Sequence, residues 1–158
     1  IYGLNVQNMS KLRIGDKAPA FEGTNQKNEK IHSDTLRGKK VVLFFYPKAS
    51  TPGCTLEACN LRDNHERFLT ANYVVIGVSA DSVKSQANFA EKQHLPYSLI
   101  ADEDKKIIQA YGVWGPKKFM GREFDGILRT TFIIDENGLI SDIISKVDTK
   151  QHTNQILK

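Results

Sequence analysis

The chain has 158 residues, 22 Lys+Arg against 18 Asp+Glu for a net charge of +4, and 40% apolar residues. That reads as one ordinary domain, which buries roughly 68–70% of its unfolded surface and needs no covalent staples. Two cysteines are too few for a disulfide scaffold or a four-thiolate zinc site, so any importance they have is chemical.

Residues 1–8 carry no charge and precede Met9, which reads as the native start. They are expected to be an appended or disordered segment, with residues 9–158 as a single domain. No basic region followed by an apolar stretch opens the chain, so no export signal is read and the cysteines are expected in a reducing cytoplasm. Residues 16–38 are polar and turn-rich, with short strands expected near Ala20-Phe21 and Lys30-Ile31. The run Val41-Val42-Leu43-Phe44-Phe45-Tyr46 is the pattern of a strand buried on both faces. It is the longest apolar run and falls far short of the roughly 18–20 residues of a membrane helix. Pro47 ends it, because proline cannot donate to a ladder.

Thr51 reads as a helix N-cap and Pro52 as the first helical residue, which predicts a helix from 52 to about 69. Cys54, Ala58, Leu61, His65 and Phe68 then share one face. Residues 73–78 read as another buried strand. Asp81 or Ser82 caps a helix reaching about His94, and Asp102 caps a shorter one through Tyr111, with Gly112 just beyond. Residues 129–134 and 139–144 read as strands around Asp135-Glu136-Asn137-Gly138, a hairpin with an Asn-Gly turn. The tail from Asp148 is expected to form a last helix. Strands alternating with helices imply crossover units and a mixed sheet covered on both faces, with the closing hairpin adding antiparallel edge strands. The expected architecture is a thioredoxin-like α/β fold with an N-terminal extension. The basic pairs Lys39-Lys40, Lys105-Lys106 and Lys117-Lys118 lack interleaved aromatics and read as a solvated face, with no nucleic-acid partner expected.

The segment Tyr46-Pro47-Lys48-Ala49-Ser50-Thr51-Pro52-Gly53-Cys54-Thr55-Leu56-Glu57-Ala58-Cys59 is the richest in chemistry. With Thr51 as N-cap, Cys54 is the third helical residue, among amides that lack intrahelical acceptors and at the positive end of the dipole. A thiolate is stabilised there. Gly53, without a side chain, allows close approach to the backbone. Cys59 lies on the same helix, about 7.5 Å along the axis and about 140° around it, so the two Cα atoms are roughly 8.6 Å apart. That exceeds the disulfide limit of about 7 Å, and a Cys54–Cys59 bond requires the first turns to unwind.

A histidine base is the next requirement to test. His65 shares the face of Cys54 but lies about 16 Å along the helix, out of reach. His32, His94 and His152 stand in no motif. Activation is therefore left to the helix end plus a cation. Arg129, at the start of a strand entered from a long loop, is the best candidate, although on spacing alone other arginines and lysines compete with it.

The pattern Pro47-x-x-x-Thr51-x-x-Cys54 resembles the active-site signature of the peroxiredoxins. The longer run through Glu57-Ala58-Cys59 is similar to the branch called bacterioferritin comigratory protein, or peroxiredoxin Q. Gly15-Asp16-x-Ala18-Pro19-x-Phe21, Gly112-Val113-Trp114-Gly115 with Phe119-Met120-Gly121-Arg122, and Arg129-x-x-Phe132-x-Ile134-Asp135 resemble other blocks of that branch, so the likeness covers nearly the whole chain from residue 12. The resemblance implies a thiol peroxidase with Cys54 as peroxidatic and Cys59 as resolving cysteine. It implies that Thr51 and Arg129 hold thiolate and peroxide, that Pro47 shields the pocket, and that Glu57 supports the network around the arginine. A further cysteine found in some relatives is absent, which leaves Cys59 as the intramolecular partner. No metal or cofactor is implied. The implied partners are a peroxide and thioredoxin or a similar dithiol, in a monomer or weak dimer with no membrane association. Two rival readings are a dithiol–disulfide oxidoreductase, which favours a Cys-x-x-Cys spacing not present here, and a non-enzymatic redox switch, which would stop after one oxidation.

Overall fold

The computed structural model describes residues 12–157, so the expectation for residues 1–8 lies outside the described residues. An antiparallel pair, β1 (Glu22–Thr24) and β2 (Lys30–His32), comes first. It follows Phe21, a core residue, rather than starting at Ala20. The central run is β3 (Lys40–Phe45), the consecutive helices α1 (Pro52–Asp63) and α2 (His65–Thr70), β4 (Tyr73–Ser79), α3 (Val83–Gln93) and β5 (Ser98–Ala101). Then come α4 (Lys106–Ala110), the ribbon β6 (Trp114–Phe119) and β7 (Arg122–Ile127), β8 (Thr130–Ile134), β9 (Ile140–Ile144) and α5 (His152–Ile156).

Five strands form the central sheet in the order β5-β4-β3-β8-β9. β3, β4 and β5 run parallel, and β8 and β9 are antiparallel to their neighbours. The sheet is mixed, as expected, but only β9 of the closing hairpin is an edge. β8 pairs with central β3, because its five residues are all buried and need cover on both sides.

Side chains alternate across a strand, so β3 feeds two cores. Val42, Phe44 and Tyr46 join Cys54, Ala58, Leu61, Phe68 and Phe89 on one face. Val41, Leu43 and Phe45 join Ile107, Ile108, Tyr111 and Phe132 on the other. The apolar helix stripe expected from spacing is therefore real, with His65 half-buried beside it.

Several local expectations are corrected. The predicted helix 52–69 breaks at Asn64, whose backbone leaves the helical region (φ −112°, ψ 15°) and whose side-chain amide donates to the Asn60 carbonyl at 2.8 Å. Asparagine competes for backbone partners in this way and so favours helix ends. The helix expected from Asp102 begins at Lys106, yet Asp102 still caps it: its carboxylate accepts from Ile107 N at 3.3 Å and Ile108 N at 2.8 Å. The 135–138 turn is closed by Gly138 N donating to Asp135 O at 3.0 Å, so Glu136 and Asn137 are its central residues and Gly138 (φ +83°) follows in the left-handed region. That is a longer loop than a two-residue Asn-Gly turn. The 3-10 turn Ser33–Leu36, β5 and the β6–β7 ribbon were not foreseen. β5 is only four residues long. The β6–β7 ribbon turns through Met120 and Gly121, both at positive φ, and β7 is largely exposed, so neither strand shows an apolar alternation.

Candidate active site

The register of β3 and β8 sets Phe45 opposite Thr130. Antiparallel pairing thus brings Arg129 to the end of β3 from which residues 46–51 lead into α1. Pro47 stops the strand half-buried, and Ser50 turns the chain in the left-handed region (φ +65°). A buried polar chain fixes this loop from below. Tyr46 Oη donates to Gln86 Oε1 at 2.5 Å, Gln86 Nε2 to Ser79 Oγ at 2.9 Å, and Ser79 Oγ to Asp81 Oδ2 at 2.6 Å, which also accepts from Ala49 N at 2.8 Å. Asp81 therefore holds the loop, while Ser82 takes the cap of α3 by accepting from Ser85 N at 3.1 Å. Desolvation raises the Tyr46 phenol far above its ordinary range, so it stays a donor.

Thr51 occupies the N-cap position of α1 in extended conformation, but its side chain does not cap. Its hydroxyl donates to the Lys48 carbonyl at 2.8 Å instead. The first-turn amides around Cys54 are thereby left without a side-chain partner from the cap, and they keep their pull on an anion.

Cys54 is 1% exposed. Arg129 Nη2 lies 3.4 Å from its Sγ, and Arg129 Nη1 is 2.6 Å from Glu57 Oε1. A Cβ built on Gly53 would lie 3.2 Å from that same Nη2. The close approach that glycine permits is made by the arginine of this chain. Burial works against the Arg129 charge, but Cys54 and Glu57 beside it outweigh that and raise its pKa. Glu57 is fully buried, and desolvation lifts its carboxyl to about 7 against the pull of Arg129. One helical turn separates Cys54 from Glu57, so one guanidinium can serve both.

Two contributors were not legible as site residues. His152 on α5 is fully buried with Nε2 3.5 Å from Glu57 Oε2. Lys117 on β6 donates to the Ile127 carbonyl at 2.9 Å. Burial lowers its pKa, the nearby Arg129 lowers it further and Cys54 opposes both. No motif marks either residue; a lysine in an exposed ribbon and a histidine in a short tail helix look ordinary in sequence.

Cys59 is a free thiol, as is Cys54. It is half-buried near the end of α3, where its Sγ donates to Gln93 Oε1 at 3.4 Å and burial pushes its pKa up. Arg62 Nη1 holds the Gln93 carbonyl at 2.7 Å, and Tyr97 Oη donates to Ala58 O at 2.6 Å. Both cysteines lie within unbroken α1, so the helical separation derived above applies. His65 is not at the site; its ring packs against Tyr97 with centroids 5.8 Å apart. Among the described residues, no group of three or more His, Cys, Asp or Glu side chains is arranged to hold a metal ion, and no helix is long and apolar enough to cross a membrane.

The chain is similar to several known proteins. The model of the AhpC/TSA family matches residues 14–143. A putative peroxiredoxin bcp from Haemophilus influenzae is 44% identical over 149 residues, covering 94% of this chain and 96% of its own. The crystal structure of a cysteine-to-serine mutant of Xylella fastidiosa PrxQ superposes with a TM-score of 0.87 at 29% identity, over 92% of this chain and 93% of that one. A structure of the Xanthomonas campestris bacterioferritin comigratory protein, studied for its alkyl peroxide reduction activity, superposes with a TM-score of 0.81 at 31% identity, over 87% of each chain.

Proposed function

Because the chain belongs to the AhpC/TSA family and is a peroxiredoxin, a thiol-dependent peroxidase, we propose that Cys54 is its peroxidatic cysteine and Cys59 its resolving cysteine. The contact of Arg129 Nη2 with Cys54 Sγ at 3.4 Å carries this reading. It joins a cation, a helix N-terminus and a sulfur at one point, which is what a nucleophilic thiolate requires.

In the proposed reaction the Cys54 thiolate attacks one peroxide oxygen. The O–O bond breaks, Cys54 becomes a sulfenic acid, and the leaving oxygen takes a proton to depart as water or an alcohol. Negative charge spreads over both oxygens as the bond breaks. The Arg129 guanidinium and the first-turn amides of α1 are donors aimed at that charge. Thr51 serves by leaving those amides uncapped and by presenting its hydroxyl oxygen at the helix mouth. Pro47 ends β3 and walls the loop side, and Glu57 fixes the second nitrogen of Arg129. Enclosure of Cys54 favours a small hydroperoxide over a protein disulfide, which weighs against the dithiol oxidoreductase reading.

The first turns of α1 then unwind and the Cys59 thiol attacks the sulfenic sulfur. A Cys54–Cys59 disulfide forms and water leaves. A thioredoxin-type dithiol reduces the disulfide by exchange, in keeping with a cytoplasmic location. Cys54→Ser should abolish peroxide consumption in an assay coupled to thioredoxin, its reductase and a reduced nicotinamide. Cys59→Ser should consume about one equivalent per chain and then stop. Sustained turnover in either variant would refute these roles, and a single turnover by the wild type would favour the redox-switch reading.

A further inference from the structure

Among the described residues, Glu57 Oε2 is the one buried side-chain oxygen or nitrogen without a hydrogen-bond partner. Buried polar atoms are nearly always paired, so the exception calls for a cause. The group that faces it is His152 Nε2, 3.5 Å away, on a ring that is itself fully buried.

The protonation of that ring follows from its other contacts. Gln155 Nε2 donates to the Lys146 carbonyl at 2.9 Å and Gln155 Oε1 accepts from Asp148 N at 3.0 Å, which fixes the orientation of the amide. His152 Nδ1 lies 2.7 Å from that same Oε1, an acceptor, so Nδ1 carries the hydrogen. In a neutral ring Nε2 is then bare, accepting from Thr131 Oγ1 at 2.7 Å. That single lone pair is committed to Thr131, so a neutral ring offers the ionised Glu57 Oε2 no donor. One proton ends this: on the carboxyl it removes the uncompensated charge, and on Nε2 it gives Oε2 a donor.

Charge counting gives that proton a purpose. With Cys54 a thiolate, Glu57 ionised and His152 neutral, the four side chains linked by direct contacts (Cys54, Arg129, Glu57 and His152) carry a net charge of −1, with Lys117 outside that contact set. For one proton added to that set two places compete: the sulfur and the Glu57–His152 pair. We propose that His152 is a positioning residue which, with Glu57, holds the proton that would otherwise return to Cys54, and so keeps the charge of Arg129 available to the thiolate. The idea rests on the peroxidase reading of Cys54. Coupled sites of this kind titrate as a unit. Desolvation raises Glu57 to about 7 and lowers His152, so burial favours the carboxyl as the place where the pair holds its proton. The other charged groups facing the cluster are Arg129, Lys117 on β6 and Asp148 before α5.

The test uses the full chain carrying Cys59→Ser, so that iodoacetamide reports Cys54 alone as a function of pH. His152→Asn keeps a donor for Gln155 and removes Nε2. It should move the alkylation midpoint up by about one pH unit, a tenfold loss of rate on the acid side. Glu57→Gln removes the charge that needs balancing, and adding His152→Asn to it should move the midpoint no further. An unmoved midpoint in the single variant, or the same upward shift in both backgrounds, would overturn the proposal. Should His152→Asn not fold, ring-nitrogen NMR of His152 serves instead. Its titration midpoint should fall when Cys54→Ser removes the thiolate, and an unchanged midpoint refutes the coupling. These readouts follow thiol ionisation, not peroxide turnover, so they fail independently of the peroxidase reading.

Discussion

Gly53→Ala separates the reactivity of α1 from its stability. The added methyl would sit 3.2 Å from Arg129 Nη2, inside ordinary contact. The guanidinium cannot swing aside freely, because its Nη1 is held at 2.6 Å by the fully buried Glu57. It must therefore back away from the helix end. Lengthening the 3.4 Å separation from Cys54 Sγ by about half an ångström, at an effective dielectric of about 20, removes about 0.6 kcal/mol of attraction to the thiolate. That is a rise of about half a pH unit in the Cys54 alkylation midpoint and roughly a threefold loss of rate below it. Helix propensity pushes the other way, since alanine in place of glycine stabilises a helix by up to about 1 kcal/mol. The variant should thus melt no lower than wild type while reacting more slowly. Alkylation against pH in a Cys59→Ser background gives the first quantity and thermal denaturation the second. An unchanged or lower midpoint, with melting unaffected, would refute the claim that the glycine is there to admit the arginine.

Arg129→Leu leaves the Glu57 carboxylate buried and unpartnered, which should cost about 3–5 kcal/mol where that group is ionised. The folded-state pKa of Glu57, about 7, lies above its ordinary value of 4.5; a raised carboxyl contributes stability below the lower value and loses it as pH rises through the higher. Loss of Arg129 raises it further, so the deficit in denaturant titrations should be small in acid and grow as pH passes about 7; a pH-independent deficit would contradict this. Asn60→Ala should destabilise by about 1–3 kcal/mol, because Asn60 Nδ2 donates to Lys150 O at 2.9 Å and its Oδ1 accepts from Thr153 N at 2.7 Å. If those bonds also restrain α1, mass spectrometry should find less over-oxidised Cys54 at high peroxide, and an equal or greater amount would show that they do not.

The features legible in sequence were those written in local patterns. The continuous apolar run of β3, the Thr51-Pro52 helix start and the stripe Cys54, Ala58, Leu61, Phe68 each follow from pattern and capping rules, and each is in the structure. The β6–β7 ribbon was not legible because β7 is largely exposed and the Met120-Gly121 turn lacks the usual residues. The site divides in the same way. Cys54, Glu57 and Cys59 fall on one helix and could be placed by counting. Arg129 was the preferred cation and the family resemblance assigned it, but how it reaches the helix end is visible only in the pairing of β3 with β8. His152 arrives from α5, far along the chain, and nothing near it in sequence sets it apart from a surface histidine.

The two thiols sit on one helix, and this creates a conflict that the proposed chemistry itself can relieve. Resolution needs the turns between Cys54 and Cys59 to open, yet Arg129 grips both Cys54 and Glu57 within those turns. While Cys54 is a thiolate, the grip includes a charge pair at 3.4 Å, worth at most about 5 kcal/mol at an effective dielectric of about 20. A sulfenic acid is neutral, and that part of the grip disappears when it forms. The cost of unwinding then falls to what holds the helix apart from charge: the bond of Tyr97 to Ala58 O, the bond of Cys59 to Gln93, and the Asn60 contacts with the segment ahead of and within α5. The helix is thus held most firmly in the state that must react with peroxide and less firmly in the state that must be resolved. A thiolate-dependent restraint of this kind predicts that amide exchange across residues 54–59 is slower in the reduced protein at a pH above the Cys54 midpoint than below it, after correction for the intrinsic pH dependence of exchange. Protection that does not depend on the charge of the sulfur would show that opening is set by the neutral contacts alone.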